Sequence, residues 1–222
     1  MIEFDFLILE PLASGSSVLD IHEKQLGVAL IDIGGGTTDI IIYNNKSVLH
    51  TAAIPLGGES LTNDIALGLR ITLKQAEKLK CNYGLAKESL ASDENDIIVS
   101  GINGRDDLKI SQKKLSSIIE ARMQEIFYHA KSEIRKVENE CNLNFGVVIT
   151  GGGSNLQNIQ DLAMEVFELE VQKGIPNTIN GIDDIINNPR YATTIGLIKY
   201  ITENKNFKRE TEFEDPDLID LI

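Results

Sequence analysis

Apolar residues are concentrated in three short runs near the start of the chain, and each run ends at turn-forming residues. The runs are 26–33 (LGVALIDI), 37–44 (TTDIIIYN) and 46–56 (KSVLHTAAIPL). Short runs rich in β-branched residues, separated by a glycine-rich turn and an Asn-Asn turn, are typical of strands joined by hairpins. The pattern therefore predicts three consecutive antiparallel strands.

The apolar spacing then becomes helical over 60–70 and 72–83, which predicts two short helices. Thr72 and Gln75 have the spacing of a capping box, in which each side chain satisfies a backbone amide of the first helical turn. Gly84 is a typical helix stop. The second of these helices is thus bounded by local signals at both ends.

A long amphipathic segment follows this helical region. Two short apolar runs within 96–110 surround a glycine-containing turn and predict two short strands. Ser111 is the predicted N-cap of a helix that reaches about Glu140. This middle part of the chain is predicted to form a small subdomain of its own.

The last part of the chain alternates between strand and helix patterns. The predicted elements are a strand at 145–150, a glycine-rich turn, a helix at 155–168, a short strand at 169–173 and a final helix at about 191–202. With the first three strands, they give the element order of the ribonuclease-H-like fold, an α/β fold in which parallel strands extend three antiparallel ones. We predict a discontinuous core of this type (1–61 and 146–203), an inserted small α+β subdomain (62–145) and a disordered acidic tail (204–222).

The composition narrows the class of partner. Among 222 residues, 21 Lys and Arg stand against 34 Asp and Glu, which gives a net charge of −13. This charge argues against nucleic acid as a partner, because the phosphate backbone requires a basic surface. No apolar run reaches the roughly 18 to 20 residues of a membrane span, and the acidic start lacks the basic residues of a signal peptide. We therefore predict a cytoplasmic protein. Cys81 and Cys141 have no neighbouring ligand residues, so we predict reduced structural thiols and not a metal site.

The first glycine-rich turn combines the groups that a phosphate-binding hairpin needs. Glycines let backbone amides approach an anion, threonines add hydroxyl donors, and an aspartate at the strand end holds Mg²⁺ through water. The candidate residues are Asp32, Gly34, Gly35, Gly36, Thr37 and Thr38, with Asp32 also the candidate Mg²⁺ ligand. A plain hairpin turn is the alternative, because short glycine motifs are common.

The second glycine-rich turn joins a strand to a helix. Its candidate residues are Gly151, Gly152, Gly153 and Ser154. The missing side chains let ribose or adenine lie against the backbone, and a helix N-terminus, predicted to be capped by Ser154 or Asn155, suits a phosphate. An ordinary tight connection is the alternative. If both turns leave the carboxyl ends of adjacent strands, they converge on one ligand, which is stronger evidence than either turn alone.

A charged pair on the second short helix is a further candidate. Glu77 and Lys80 share a helix face and have the chemistry to clasp ribose hydroxyls and flank an adenine ring. The alternative is an exposed ion pair of little energetic value. The three histidines lie in unrelated settings, and the sequence contains no arrangement that indicates nucleophilic catalysis.

These motifs resemble the C-terminal half of the FtsA family, the actin-like bacterial cell-division proteins. The resemblance rests on LGVALIDIGGGTTDI (26–40), on GGESLTNDIALGLRITLKQAEKLKCNYG (57–84) and on VVITGGGSNL (147–156). LEPLAS (9–14) is similar to the segment that enters the second half of FtsA, and RYATTIGLIKY (190–200) is similar to its closing helix. The middle motif is the most specific, because heat-shock chaperone ATPases, MreB and PilM share the glycine loops.

The resemblance implies an ATP and Mg²⁺ site. The residues from Asp32 to Thr37 then correspond to the second phosphate loop, the residues from Gly151 to Ser154 to the adenosine loop, and Glu77 and Lys80 to the nucleoside contacts. The N-terminal half of the family has no counterpart in this sequence. The full-length family is expected to have at most weak ATPase activity, and this chain alone is expected not to be catalytic.

The resemblance also implies partners and a location. The segment 62–145 corresponds to the subdomain that docks the C-terminal tail of FtsZ, and FtsA molecules associate with one another into actin-like filaments. The location would be the cytoplasmic face of the inner membrane at the division septum. The ending TEFEDPDLIDLI is acidic, so we expect contact with the membrane only indirectly or through a segment that this sequence lacks.

Three alternatives remain open at the level of the sequence. A PilM-like pilus-assembly protein shares the superfamily, although the segment LGGESLTNDIA (56–66) suits FtsA better. A sugar-kinase-type ATP-dependent enzyme shares the ancestral fold, but it requires a catalytic aspartate and a sugar pocket between two domains. An interaction module without nucleotide would use the glycine turns only as structure.

Overall fold

The computed structural model of the protein describes residues 7–92, 96–101, 106–177 and 187–203. The predicted acidic tail lies outside these ranges. The α-helices are α1 (Glu10–Val18), α2 (Ile21–Leu26), α3 (Gly58–Leu69), α4 (Leu73–Tyr83), α5 (Gln112–Arg135), α6 (Ile159–Phe167) and α7 (Ala192–Glu203). The strands are β1 (Val28–Ile33), β2 (Thr38–Asn44), β3 (Ser47–Ile54), β4 (Asp96–Val99), β5 (Leu108–Ser111), β6 (Val147–Thr150) and β7 (Val171–Lys173). Short 3₁₀ turns lie at Glu88–Leu90, Gly152–Asn155 and Pro189–Tyr191.

Five strands form the main sheet in the order β3-β2-β1-β6-β7. The first three strands are antiparallel, as predicted, whereas β6 pairs in parallel with β1, and β7 pairs in parallel with β6. The strands β4 and β5 form a separate antiparallel pair, also as predicted. The main sheet therefore has the predicted arrangement, in which parallel strands extend three antiparallel ones.

The central strands are buried on both faces, which explains why β1 is apolar at every position except Asp32 and does not alternate between apolar and polar residues. Leu30 and Ile41 pack with residues of α1 and α7 on one face of the sheet. Ile31 and Ile40 pack with residues of α3, α5 and α6 on the other face. Each fully buried aliphatic side chain of this kind contributes about 1.5 to 3 kcal/mol.

The local signals of the middle segment are confirmed. Thr72 and Gln75 form the predicted capping box, and Gly84 follows the last residue of α4. The hydroxyl of Ser111 accepts a hydrogen bond from the amide of Lys114 and caps α5. The helix α5 ends at Arg135 and continues as turns, so it is shorter than predicted.

The middle segment is also joined to the main sheet. The helix α5 follows the β4-β5 pair and packs on β2, β3 and α6. Apolar residues of β4, such as Ile97, belong to the same buried cluster as Ile31 of the main sheet. The boundaries at 62 and 145 remain a prediction.

The structure has two helices before β1 that the sequence pattern does not predict. The helix α1 has the sequence EPLASGSSV, whose Gly and Ser residues have low helix propensity and give no apolar stripe. It is held by packing on α7, where a Cβ at Gly196 would overlap the carbonyl group of Ala13. The helix α2 begins with a capping box between Asp20 and Glu23.

The predicted start of the helix after the second glycine turn is wrong. A 3₁₀ turn occupies Gly152–Asn155, and α6 begins only at Ile159. Asn158, in the left-handed conformation with φ of 60°, precedes the helix and makes no side-chain cap. The hydroxyl of Ser154 donates to the carbonyl of Gly151 inside the 3₁₀ turn, 2.8 Å away, so neither predicted residue caps a helix.

Within the described ranges, the model contains no helix that combines the length and apolar character needed to span a membrane.

Candidate functional site

The two glycine turns lie side by side at one edge of the main sheet. The strands β1 and β6 run in parallel with Asp32 opposite Thr150, so both turns leave the sheet at the same edge. Gly151 lies directly against Asp32 and Ile33. This adjacency is the geometry that one ligand touching both turns would require.

The first turn, Gly34 to Thr37, is a tight hairpin with an exposed tip. The amide of Gly34 donates to the carbonyl of Thr37, 2.9 Å away. The first amides of α3, at Gly58 and Glu59, donate to the carbonyls of Gly34 and Gly35 at 2.9 and 2.8 Å. A Cβ at Gly36 would have no atom within 4 Å. The start of α3 therefore fixes the base of the hairpin and leaves its tip accessible.

The two threonines of the hairpin differ. Thr37 is exposed, and its hydroxyl donates to the Asp39 carboxylate at 3.1 Å. Thr38 is fully buried, and its hydroxyl donates to the carbonyl of Leu56 at 2.8 Å. Only Thr37 presents its side chain at the surface of the turn.

The Asp32 carboxylate is buried beneath the turns. Its Oδ2 accepts hydrogen bonds from Ser14 Oγ at 2.5 Å and from Thr193 Oγ1 at 3.2 Å. Burial raises the pKa of Asp32, and the two hydroxyls offset only part of this effect. Sequence reasoning missed Ser14 and Thr193, because they are 18 and 161 residues away in the chain.

Two further carboxylates lie near Asp32. Asp39 lies opposite Asp32 in the pairing of β1 with β2. Partial burial raises the pKa of Glu10, and the negative charges of Asp39 and Asp32 raise it further. Glu10 begins α1 and was not among the predicted site residues.

This acidic environment is compatible with Mg²⁺. Within the part of the chain that the structure describes, no group of three or more His, Cys, Asp or Glu side chains is arranged to hold a metal ion by itself. The single carboxylate of Asp32 nevertheless fits Mg²⁺, because this ion keeps most of its waters and takes further oxygens from a phosphate.

The second turn is packed tightly on the first strand. Gly151 has a φ of +83°, and a Cβ there would overlap Asp32 Oδ1 and lie 2.6 Å from the carbonyl oxygen of Ile33. A Cβ at Gly153 would overlap the side chain of Ile33. Gly152 is exposed, whereas Ser154 is buried. Only part of this turn therefore faces solvent.

The predicted pair on α4 is an ion pair with additional partners. Lys80 Nζ lies 2.6 Å from Glu77 Oε2, and it donates to the Gly58 carbonyl at 3.0 Å and to Thr62 Oγ1 at 2.9 Å. These three acceptors match the three N–H groups of the ammonium. Because Gly58 also donates to Gly34, Lys80 connects α4 to the base of the first hairpin.

The surroundings of Glu77 favour its charged form. Partial burial raises the pKa of Glu77, but hydrogen bonds from Lys80 and Thr62 outweigh it and bring the pKa below its ordinary value. The Lys80 side chain is 15% exposed and that of Glu77 is 50% exposed. Glu77 is therefore the member of the pair that is more accessible to a ligand.

Arg190 borders the site, although it was not among the predicted residues. Its Cβ lies 3.9 Å from the position of a Cβ at Gly152. Partial burial raises the pKa of Cys81 on α4, and the positive charges of Lys80 and Arg190 oppose this rise. Arg190 therefore borders the second turn.

The sequence of the chain is similar to those of known proteins. The family model for cell division protein FtsA matches residues 29–196. The chain belongs to the FtsA family. It is 41% identical over 199 residues to the cell division protein FtsA of Pseudomonas aeruginosa, an alignment that covers 90% of this chain and 48% of that protein. The chain thus spans about half the length of the FtsA relatives that it matches.

The solved structures that resemble this FtsA chain are actin-like. MreB 5 of Spiroplasma citri bound to AMPPNP has a TM-score of 0.64 and 22% identity, covering 89% of this chain and 59% of that one. The PilM-PilN type IV pilus biogenesis complex has a TM-score of 0.63 and 15% identity, covering 88% and 52%. At these identities the likeness establishes the fold alone, and it confirms the predicted α/β actin-like class.

A cavity of about 490 Å³ lies away from the glycine turns of this FtsA chain. It is lined by the last turns of α5 and the end of α6, including Lys131, Arg135 and Phe167. None of the predicted site residues lines it. The candidate site is the surface beside the two turns and not this cavity.

Proposed function

We propose that this FtsA chain supplies one wall of an ATP and Mg²⁺ site in an actin-like cell-division scaffold. The observation that carries the proposal is the direct contact of Gly151 with Asp32, which brings the two glycine turns together at the ends of paired parallel strands. Glycine turns at the carboxyl ends of adjacent strands suit phosphates and nucleosides. The similar fold of MreB 5, which was crystallised with AMPPNP, supports the assignment.

The residues divide into two groups in this proposal. The exposed residues Gly35, Gly36 and Thr37 face the phosphates, and the carboxylate of Asp32 orients water around the Mg²⁺ that accompanies them. The buried hydroxyl of Thr38 holds the loop before α3 through Leu56 and does not contact the ligand.

The nucleoside is assigned to the second turn and its borders. The exposed backbone of Gly152 and the neighbouring residue Arg190 border the surface on which adenine and ribose would lie, and the exposed carboxylate of Glu77 is the candidate ribose contact. Gly151 and Gly153 pack this turn onto β1, and the Ser154 hydroxyl donates to the Gly151 carbonyl within the turn. Lys80 contributes mainly by holding Glu77 and the hairpin in place, because its three donors already have acceptors.

An NMR titration of the ¹⁵N-labelled chain tests the nucleotide site. We expect Mg-ATP to shift the amides of Gly35 to Thr37 and of Gly151 to Gly153, with an affinity in the millimolar range or weaker, because one wall leaves half of the triphosphate charge in water. Adenosine should shift only the second turn, and inorganic triphosphate only the first. Shifts confined to other residues would contradict the proposed site, and micromolar affinity would contradict the single-wall argument.

We also propose that the full-length protein tethers FtsZ filaments and polymerises at the cytoplasmic face of the inner membrane, at the division septum. Membership of the FtsA family supports this role. The docking surface for the FtsZ C-terminal tail is assigned to the segment 62–145. A fluorescence-anisotropy titration of a labelled FtsZ tail peptide with this chain should saturate, whereas a scrambled peptide should not. Absence of peptide binding at concentrations of this chain up to the millimolar range would contradict the assignment.

A further inference from the structure

Three side chains from distant parts of the chain meet beneath the first glycine turn. Asp32 ends β1, Ser14 lies in the middle of α1, and Thr193 lies in the first turn of α7. The hydroxyls of Ser14 and Thr193 reach the same carboxylate oxygen, Oδ2, and lie 3.0 Å from each other. The sequence alone contains no local signal for this group.

The two oxygens of the Asp32 carboxylate have different surroundings. Within the described ranges, both side-chain hydrogen bonds to Asp32 reach Oδ2. Oδ1 lies against the backbone of Gly151 in the second turn, where a Cβ would overlap it. Asp32 retains 7% exposure, whereas Ser14 is fully buried. The carboxylate is therefore held on one side and faces the second turn on the other.

The two hydroxyls are carried by helices that are packed closely together. Gly196 of α7 lies against the backbone of Ala13 of α1. The Ser17 hydroxyl donates to the Ala192 carbonyl at 2.7 Å, and Lys199 Nζ donates to the Ser16 carbonyl at 2.8 Å. These contacts limit the movement of α1 and α7 against each other, so the two hydroxyl donors are fixed relative to one another.

We propose that Ser14 and Thr193 are positioning residues that hold Oδ2 of Asp32 and thereby present Oδ1, beside Gly151, to the water shell of a nucleotide-bound divalent cation. A carboxylate without these donors would sample several χ1 rotamers, and most of them would remove Oδ1 from the space between the turns. Preorganisation of a ligand oxygen by partners behind it raises metal affinity without new ligand contacts. The inference rests on the proposed nucleotide site.

The rotamer of Asp32 can be measured in the unliganded chain. Three-bond couplings from the backbone nitrogen and carbonyl carbon to Cγ report whether χ1 is fixed or averaged. The variants are Thr193→Val, which removes the hydroxyl and keeps the shape, Thr193→Ser, which keeps the hydroxyl, and Ser14→Ala. Thr194→Val is the matched control, because Thr194 is exposed on the same helix turn.

We expect the wild-type chain, Thr193→Ser and Thr194→Val to show couplings of a single Asp32 rotamer. Thr193→Val and Ser14→Ala should show averaged couplings, and the double variant should show the largest averaging. A purely structural role would lower the midpoint of urea unfolding in Thr193→Val without averaging the Asp32 couplings. Unchanged couplings in both single variants and in the double variant would overturn the inference.

Nucleotide titrations add a second readout. The dissociation constant for ATP is measured in EDTA and in Mg²⁺, and the first value is divided by the second. This ratio should be about tenfold lower in Thr193→Val than in the wild-type chain, a loss typical of one hydrogen bond to a charged group. The affinity measured in EDTA should stay the same. An unchanged ratio would overturn the role toward the cation. Absence of Mg-ATP-induced shifts at both glycine turns of the wild-type chain would contradict the proposed function, while the couplings would still decide whether Ser14 and Thr193 position Asp32.

Discussion

The two Gly-Gly-Gly triplets of this protein are identical in sequence and adjacent in space, but the structure uses them differently. In the first, an added Cβ at Gly36 would meet open space, and one at Gly35 would lie 3.6 Å from Glu59. In the second, Cβ atoms at Gly151 and Gly153 would overlap Asp32 or Ile33. The first triplet is therefore free at its tip to serve a ligand, whereas the second is required for packing the 3₁₀ turn onto β1.

The largest effect is expected for Gly151→Ala. Alanine at a φ of +83° is strained, and its Cβ would overlap Asp32 and the backbone of Ile33, which cannot yield as a flexible side chain can. We expect a loss of at least about 3 kcal/mol of unfolding free energy, measured by urea denaturation. Gly152→Ala in the same turn is the control and should cost less than about 1 kcal/mol. Equal losses of unfolding free energy in Gly151→Ala and Gly152→Ala would show that the packed and the exposed glycine do not differ in their importance for stability.

A smaller loss is expected for Lys80→Met. The change removes the donors to Gly58, Thr62 and Glu77 and should cost about 1 to 2 kcal/mol. It should also accelerate hydrogen exchange at the Gly58 and Glu59 amides, which donate to the Gly34 and Gly35 carbonyls of the first hairpin, because α3 loses this tie to α4.

Lys74→Met is the matched control for this variant, since Lys74 is exposed on the same helix. If Lys80→Met and Lys74→Met have the same stability and exchange rates, Lys80 does not hold the first hairpin.

The neighbouring threonines are expected to differ in their effect on stability, because Thr38 is buried at the base of the hairpin and Thr37 is exposed at its tip. Thr38→Val removes a buried hydroxyl and leaves the Leu56 carbonyl without this donor, so we expect a loss of about 1 kcal/mol in urea denaturation. Thr37→Val should change stability by less than about 0.5 kcal/mol, because Thr37 is exposed. A larger loss of stability in Thr37→Val than in Thr38→Val would contradict the structural role of Thr38.

The smallest effect on stability is expected for Gly36→Ala. Its Cβ meets no atom within 4 Å, so the free energy of unfolding should change by less than about 0.5 kcal/mol. The same methyl would occupy the surface assigned to the phosphates, and shifts induced by inorganic triphosphate should disappear from the first turn. Persistence of those shifts at wild-type affinity would show that phosphate does not use this surface.

Features controlled by neighbouring residues were predicted well. The capping box at Thr72 and Gln75 and the cap at Ser111 depend on side chains three residues from their targets, so the sequence contains both partners. The ion pair of Glu77 and Lys80, which was the alternative to a ligand-binding role, follows from helical spacing and is present in the structure. Its two further acceptors, at Gly58 and Thr62, required the packing of α3 on α4.

Features that depend on tertiary contacts were missed. The helix α1 forms from a segment of small and polar residues because α7 covers it, and neither its propensity nor its periodicity indicates a helix. The residues after the second glycine turn contain good capping side chains, but the close contact with Ile33 favours a 3₁₀ turn there and delays the α-helix to Ile159.

The sequence by itself determined the three antiparallel strands and the parallel strands that extend them, the helix caps at Thr72 and Ser111, the membership of the FtsA family and the presence of two glycine turns, because each follows from local pattern or from motif identity. Only the tertiary structure decided which glycines are needed for packing, which threonine is exposed, and which hydroxyls hold Asp32. Those properties depend on the distances between α1, β1, α7 and the second turn, and such distances are set by the burial of both sheet faces and not by any neighbouring residue in the chain.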